Sequence, residues 1–266
     1  MNLSRDAVIG FIVLALIGIG FIWFALVHPP AATPQTPKGE MGGAATPGHI
    51  TDHGQYYDID TQYPASTALA GLPDSADANA VALMKQWELD TIASFKTDSG
   101  LDSLTPEDIQ VQGLGDNRKY ALTIAYETHS SPRTVSYVYQ IFADTLGAHP
   151  NTTYKTFTFD TQTGINLSLA MLFTPGTDYL GYLSKAARAE LPAMIAAREN
   201  ADVSQVDTSM INDGTQPTEA NFQNFYLDGN DLIILFPPYQ IGPYALGSTE
   251  FHIPRSGIPG LKADYQ

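Results

Sequence analysis

His149 is the histidine of this sequence with the best defined local setting. It lies in a turn, Gly147-Ala148-His149-Pro150, and the carboxylates of Asp144 and Asp160 are close in sequence. An imidazole held on a loop beside a carboxylate could act as a general base. Its ring nitrogens could equally hydrogen-bond neighbouring backbone groups and stabilise the turn. The sequence leaves both roles open.

A second candidate site is the rigid aromatic loop at residues 237–244, with the sequence PPYQIGPY. Proline reduces the entropy that a loop loses on binding, and tyrosine offers an apolar ring face with a polar tip. If Tyr239 and Tyr244 point outwards, they form a site suited to sugar rings or a protein groove. If they point inwards, they close the core and need buried partners. The predicted ligand-binding residues are His149, Pro238, Tyr239 and Tyr244.

Signatures of common enzyme classes do not occur in the sequence. It contains no H-E-x-x-H, no G-x-S-x-G and no Walker loop, and its cysteine count is 0. His49 and His53 flank Asp52 in a Gly/Pro-rich stretch, where no helix would align them as metal ligands. We therefore predict no catalytic residue, no metal, no cofactor and no catalytic activity.

The net charge is −15. It is carried entirely by the residues after position 27, because Arg5 and Asp6 cancel. Such a chain repels nucleic acid and anionic lipid and attracts cationic peptides and basic proteins. The predicted partners are a cell-wall glycan or a cationic muralytic protein, with no nucleic acid. The sequence indicates no oligomeric state.

Residues 7–27 carry no charged side chain and are long enough to cross a bilayer as one helix. Arg5 precedes this span, so the charge rule places the N-terminus in the cytoplasm, although Asp6 weakens the rule here. The alternative is a cleaved secretory signal, whose apolar region is usually shorter. Both readings export the remaining chain. We predict a single-pass protein of the cell membrane, anchored through residues 7–27.

Residues 28–53 are rich in proline and glycine and predict a linker. Beyond the linker, a helix should start at Pro73 and carry an apolar stripe that includes Trp87. Residues 178–200 should also be helical, with Pro192 either kinking this helix or starting a second one. The predicted strands are 120–128, 134–142, 153–160, 165–169, 222–227, 232–236 and 249–253. The sequence DGND at 228–231 predicts a hairpin turn that joins 222–227 to 232–236. The predicted fold class is α+β: an antiparallel sheet with packed helices, in two subdomains at 54–148 and 149–258, preceded by one transmembrane helix and followed by a tail at 259–266.

Three groups of motifs resemble an extracytoplasmic domain pair of unknown function. The pair is found in the lysozyme-sensing anti-sigma factor RsiV and in the N-terminal part of the peptidoglycan deacetylase PdaC. The motifs are GAHPNT at 147–152 with FTFD at 157–160; FYL at 225–227 with PYQIGPY at 238–244; and, upstream, YYDI at 56–59 with the Trp87 helix. The C-terminal member is an RsiV C-terminal-like domain. The resemblance covers residues 54–256.

The resemblance implies an exported module that works at the cell wall or on something that attacks it. With six residues before the span, we expect no sigma-factor binding, and the similarity does not extend to a deacetylase domain. The predicted function is recognition of a cell-envelope ligand, either a peptidoglycan fragment or a lysozyme-like protein, without catalysis. The alternatives are a cryptic cell-wall hydrolase or deacetylase-associated enzyme, and a structural partner of other membrane proteins.

Overall fold

Alternating apolar and polar residues build a five-stranded sheet in the order β1 to β5. The structure is a computed structural model that describes residues 47–67, 69 and 73–266. The strands are β1 (Gly48–His53), β2 (Tyr57–Tyr63), β3 (Tyr120–Ser130), β4 (Thr134–Asp144) and β5 (Asn151–Asp160). β2 and β3 are parallel and the other neighbours are antiparallel. The parallel pair needs a crossover, which the helical segment between them supplies.

Helix α1 (Asp74–Asp98) packs its apolar stripe on one face of this sheet. Trp87 of this helix packs edge to face against Tyr139 and Phe157, with centroid distances of 4.9 and 5.7 Å. Trp87 therefore contributes to the core, as the helical spacing predicts. The short helix α2 (Pro106–Gln112) follows, started by a capping box at Thr105.

A second sheet has three antiparallel strands in the order β6 (Phe225–Asp228), β7 (Asp231–Phe236) and β8 (Thr249–Pro254). The predicted hairpin turn joins β6 to β7, with Gly229 at φ 49°. One face of this sheet packs on helix α3 (Tyr179–Glu199), which runs without a break through Pro192. Helix α4 (Ser209–Gly214) completes the four α-helices of the described residues.

The two sheets meet along β6, which contacts β3, β4 and β5. Its Phe225 backbone N–H donates to Thr156 Oγ1 at 3.2 Å, and its Phe225 carbonyl accepts from Thr158 Oγ1 at 3.4 Å. A small apolar cluster also joins the sheets: Val138, Tyr226, Ile233 and Leu235. Strand β6 is therefore the seam between the two halves.

The α+β class with sheets rich in antiparallel pairs is confirmed, but several elements are placed differently from the prediction. The predicted strand 222–227 begins only at residue 225, because Phe222 lies in a 3₁₀-helix. Strand β1 occupies residues 48–53, assigned above to the linker, because it pairs with β2. Strand β5, assigned to the C-terminal subdomain 149–258, completes the first sheet by pairing with β4. Residues 165–169 form only an isolated bridge, Phe159 with Asn166, before a 3₁₀-helix.

The predicted stub and span at residues 1–27 lie outside the described residues, as does most of the linker. Within the part that the structure describes, no helix combines the length and apolar character needed to cross a bilayer.

Candidate functional site

Three of the four predicted binding residues lie together. His149 ends the turn before β5, and Tyr239 and Tyr244 follow β7. Tyr239 Oη lies 2.8 Å from His149 Nε2, and the rings of His149 and Tyr244 stack with centroids 4.0 Å apart. The rings of Tyr239 and Tyr244 are 5.6 Å apart and tilted. His149, Tyr239 and Tyr244 are named the aromatic cluster below.

A backbone carbonyl fixes which nitrogen of His149 carries the proton in the neutral ring. His149 Nδ1 lies 2.9 Å from the carbonyl oxygen of Pro150, which can only accept a hydrogen bond. The Nδ1–H therefore donates to this carbonyl, and Nε2 accepts from the Tyr239 hydroxyl. The turn therefore holds the imidazole, and the imidazole positions the phenol of Tyr239.

Tyr239 is both exposed and conformationally constrained. Its side chain is 51% exposed, and its backbone lies in the left-handed region at φ 69°, which bulky residues rarely adopt. The neighbouring Gln240 holds the loop, since its amide donates at 2.8 Å to the carbonyls of both Gly214 and Asn221. Tyr239 is thus exposed to solvent on a loop that Gln240 anchors to two other segments of the chain.

Pro238 and Gln240 contribute to the site through the loop. Pro238 precedes Tyr239 in the turn that the Gln240 N–H closes on the Pro237 carbonyl, at 3.2 Å. The anchoring role of Gln240 was not predicted, because its partners come from segments 19 and 26 residues away.

The carboxylates expected near His149 have other roles. Asp144 accepts from the backbone N–H of Leu146 at 2.8 Å. Asp160 is buried and accepts from Arg133 at 2.8 Å and Tyr265 at 3.0 Å. Burial alone would raise its pKa, but these hydrogen bonds and those from two backbone N–H groups hold it below the usual range. In the described part of the chain neither carboxylate contacts His149, so its orienting group is the Pro150 carbonyl.

A polar network missed by the sequence analysis lies where β3 meets the second sheet. His129 lies 3.1 Å from Asp228 and 3.6 Å from Glu127, and its ring is tilted against the Tyr226 ring with centroids 4.3 Å apart. The Tyr226 hydroxyl donates to Glu250 at 2.8 Å. His129 and Asp228 are 99 residues apart in sequence, so only the packing of the sheets reveals the pair.

A buried acid in the first core was also missed. Glu88 of α1 is 0% exposed, and its Oε2 accepts from Thr61 at 2.9 Å. Burial raises the pKa of Glu88 to about 8, partly opposed by the Thr61 hydrogen bond. Over residues 47–67, 69 and 73–266, its Oε1 and the Tyr139 hydroxyl have no hydrogen-bond partner. Nor does that part of the chain contain a cluster of His, Cys, Asp and Glu able to hold a metal ion.

Comparison with known families identifies the region that carries the two tyrosines. Residues 170–256 match the family described as protein of unknown function, DUF3298. Tyr239 and Tyr244 lie inside this match, whereas His149 precedes it. His149 therefore contacts two tyrosines of the matched stretch from outside it.

Characterised relatives align with about half of the chain. Esterase Rv3036c of Mycobacterium tuberculosis is 32% identical over 149 residues, which is 54% of this chain and 61% of that protein. Peptidoglycan-N-acetylmuramic acid deacetylase PdaC of Bacillus subtilis is 29% identical over 56% of this chain and 31% of that protein. Immunogenic protein MPT64 of Mycobacterium tuberculosis is 30% identical over 54% and 60%. The predicted similarity to PdaC and to a domain of unknown function is confirmed.

Solved structures of two DUF3298 proteins share the fold. The protein from Bacteroides fragilis has a TM-score of 0.59 at 18% identity and covers 82% of this chain and 93% of its own. The protein from Pseudomonas aeruginosa has a TM-score of 0.53 at 15% identity and covers 83% and 95%. At these identities the likeness concerns the fold alone.

Proposed function

We propose that this protein is a membrane-anchored, extracytoplasmic binding module that recognises a cell-envelope ligand through the aromatic cluster. The observation that carries the proposal is the half-exposed Tyr239, held by His149 and Gln240 in a left-handed backbone. Strained backbone at a loop residue is tolerated where the surrounding contacts enforce it, and such residues concentrate at functional sites. The relative PdaC, named as a peptidoglycan deacetylase, supports an envelope setting.

The cluster has the physical properties of a contact platform. Its phenol rings offer apolar faces to a sugar ring or to an apolar side chain, and their hydroxyl and imidazole groups supply hydrogen bonds at the edge. Because the rings are already held in place, little side-chain entropy remains to be lost on binding. A peptidoglycan fragment and a lysozyme-like protein both suit this chemistry.

The charge of the chain favours the cationic protein among these two ligands. The net charge is −15, and Glu127, Asp228 and Glu250 gather around His129 and Tyr226 at the seam of the sheets. A negative surface accelerates encounter with a basic partner, whereas the aromatic cluster would provide contacts that salt does not screen. Residues 7–27 would keep the module at the membrane surface.

Calorimetric titration of the full-length protein with lysozyme, at physiological and at several-fold higher salt, tests the proposal. Micromolar or tighter binding that persists at high salt is the expected result. The same titration with soluble peptidoglycan fragments tests the other ligand. Failure of both ligands to bind would overturn the proposal.

A second candidate function is ester or cell-wall hydrolysis, favoured by the 32% identity to a protein named as an esterase. His149 could take a proton from the Tyr239 hydroxyl or from a water molecule in its place. Hydrolysis of p-nitrophenyl acetate by the wild type and by His149→Ala tests this alternative. It requires a rate above background that falls at least tenfold in the variant.

A further inference from the structure

An open cleft of about 490 Å³ lies at the start of α3, and all of its lining residues except Lys262 fall within the stretch that matches DUF3298. Its floor is Phe173 and its walls include the turn 174–177 and Tyr179. Glu219, at the start of the 3₁₀-helix Glu219–Phe222, and Lys262 complete the lining. The volume is within the range of small-molecule sites.

Backbone contacts between distant segments hold the walls of this cleft. Phe173 pairs with Leu261 in an isolated bridge, and the Thr174 N–H donates to the Gly260 carbonyl at 2.8 Å. Gly260 adopts φ 70°, and a Cβ there would lie 2.3 Å from Thr177 Oγ1. Glycine suits this position, because it adopts the left-handed backbone without strain and leaves room for the Thr177 side chain.

The cleft carries one acidic and one basic side chain beside an apolar floor. The Tyr179 hydroxyl donates to Glu219 Oε1 at 2.9 Å, and the Tyr179 ring stacks on Phe173 with centroids 4.6 Å apart. Lys262 Nζ donates to the carbonyl of Met171 at 2.7 Å. An ammonium group has three N–H donors and a carboxylate accepts several hydrogen bonds, so each charge has capacity for a ligand.

We infer that this cleft binds a short zwitterionic peptide, with its ammonium group towards Glu219 and its carboxylate towards Lys262. A ligand with one charge would satisfy one side chain and leave the other to water. The apolar floor of Phe173 and the half-exposed Met171 suit a small aliphatic side chain between the two ends of the ligand. The inference concerns different residues from the aromatic cluster and does not depend on its function.

Titration of the full-length protein with dipeptides tests the inference. The probes are L-Ala-L-Ala and D-Ala-D-Ala, together with their N-acetylated and C-amidated forms. We expect at least one zwitterionic dipeptide to bind, and each blocked form to bind about threefold to tenfold more weakly, the range for a partly exposed charge contact. Preference for the D,D form would indicate a wall-derived peptide, and preference for the L,L form a general peptide; both support the inference.

Two variants test which end of the dipeptide each charged side chain of the cleft binds. In Glu219→Gln, acetylation of the amine should no longer weaken binding, while amidation of the carboxylate still does. In Lys262→Met the pattern should be reversed. Thermal unfolding of both variants accompanies the titrations, because Lys262 also holds the Met171 carbonyl. Glu107→Gln, an exposed glutamate in the first turn of α2, is the matched control and should bind as the wild type does.

Lack of binding by both zwitterionic dipeptides would overturn the inference. Equal sensitivity of wild type and folded Glu219→Gln to both blocking groups would also overturn it. Tyr239→Ala should leave dipeptide binding unchanged, so failure here is distinguishable from failure at the aromatic cluster.

Discussion

Tyr239, in the C-terminal half of the molecule, and Tyr139, in the first sheet, differ in both exposure and hydrogen bonding. Tyr239 is 51% exposed, its hydroxyl is paired with His149, and its backbone is strained. Tyr139 is 0% exposed, packs against Trp87, and within the described residues its hydroxyl has no partner. Packing therefore accounts for Tyr139, whereas nothing in the core requires Tyr239 to take its strained position. This difference is why the aromatic cluster, and not the first core, is the candidate site.

The largest expected effect concerns Glu88, beside Tyr139 in the first core. Its folded-state pKa of about 8 lies above the ordinary value of 4.5, so the folded protein retains a proton that the unfolded chain releases. The free energy of unfolding should therefore fall as the pH rises from about 4.5 to 8 and then become independent of Glu88. By linkage the total loss is on the order of 5 kcal/mol.

Glu88→Gln should remove this dependence and be the more stable protein at pH 8.5. Urea unfolding of the wild type and the variant at several pH values measures the effect. Glu107→Gln, exposed in α2, is the matched control. Parallel curves for Glu88→Gln and the wild type would show that Glu88 ionises normally.

Tyr139→Phe tests the second difference, the buried hydroxyl. Removing an unpaired buried polar atom while keeping the ring should raise the free energy of unfolding by about 1 kcal/mol. Urea unfolding at neutral pH measures it. Destabilisation by a similar amount would mean that the hydroxyl has a partner, for example a protonated Glu88.

Much of the scaffold could be predicted from sequence, because its signals are local. The alternation in β3 and the apolar stripe of α1 with Trp87 predicted elements that the structure contains, and the turn at Gly229 predicted the hairpin. Strand β1 was missed because its short, largely polar sequence, GHITDH, becomes a strand only by pairing with β2.

The site was predictable in part for the same reason. The residue types in PPYQIGPY and the turn at His149 indicated binding residues, and three of these four lie together. Two other features depend on tertiary contacts and could not be predicted. Gln240 anchors the loop, and Asp160 binds Arg133 instead of approaching His149. The burial of Glu88 was likewise hidden, because a glutamate in a helix is usually exposed.

The third prediction concerns the left-handed backbone of Tyr239. It compares two variants that both lack the tyrosine ring. Tyr239→Gly should be more stable than Tyr239→Ala by about 1 kcal/mol, because only glycine adopts the left-handed backbone without a steric cost. Thermal unfolding of the pair measures this difference. Equal stability would mean that the loop relaxes when the ring is lost.

Gln240→Ala should have an effect on stability of similar size. Loss of its two hydrogen bonds to the carbonyls of Gly214 and Asn221 should cost about 1 kcal/mol. Ligand affinity should fall more than stability suggests, since Tyr239 would no longer be held in place. Unfolding and lysozyme titration on the same sample separate the two effects, and unchanged affinity would remove Gln240 from the site.

The most direct test of the central claim is lysozyme affinity at high salt for the wild type, Tyr239→Ala, and Tyr63→Ala as a tyrosine control at the end of β2. The proposal predicts that Tyr239→Ala binds lysozyme at least tenfold more weakly. This corresponds to the loss of one well-packed aromatic contact worth about 1.4 kcal/mol or more. Tyr63→Ala should bind as the wild type does. Equal affinity of wild type and Tyr239→Ala would contradict recognition through the aromatic cluster.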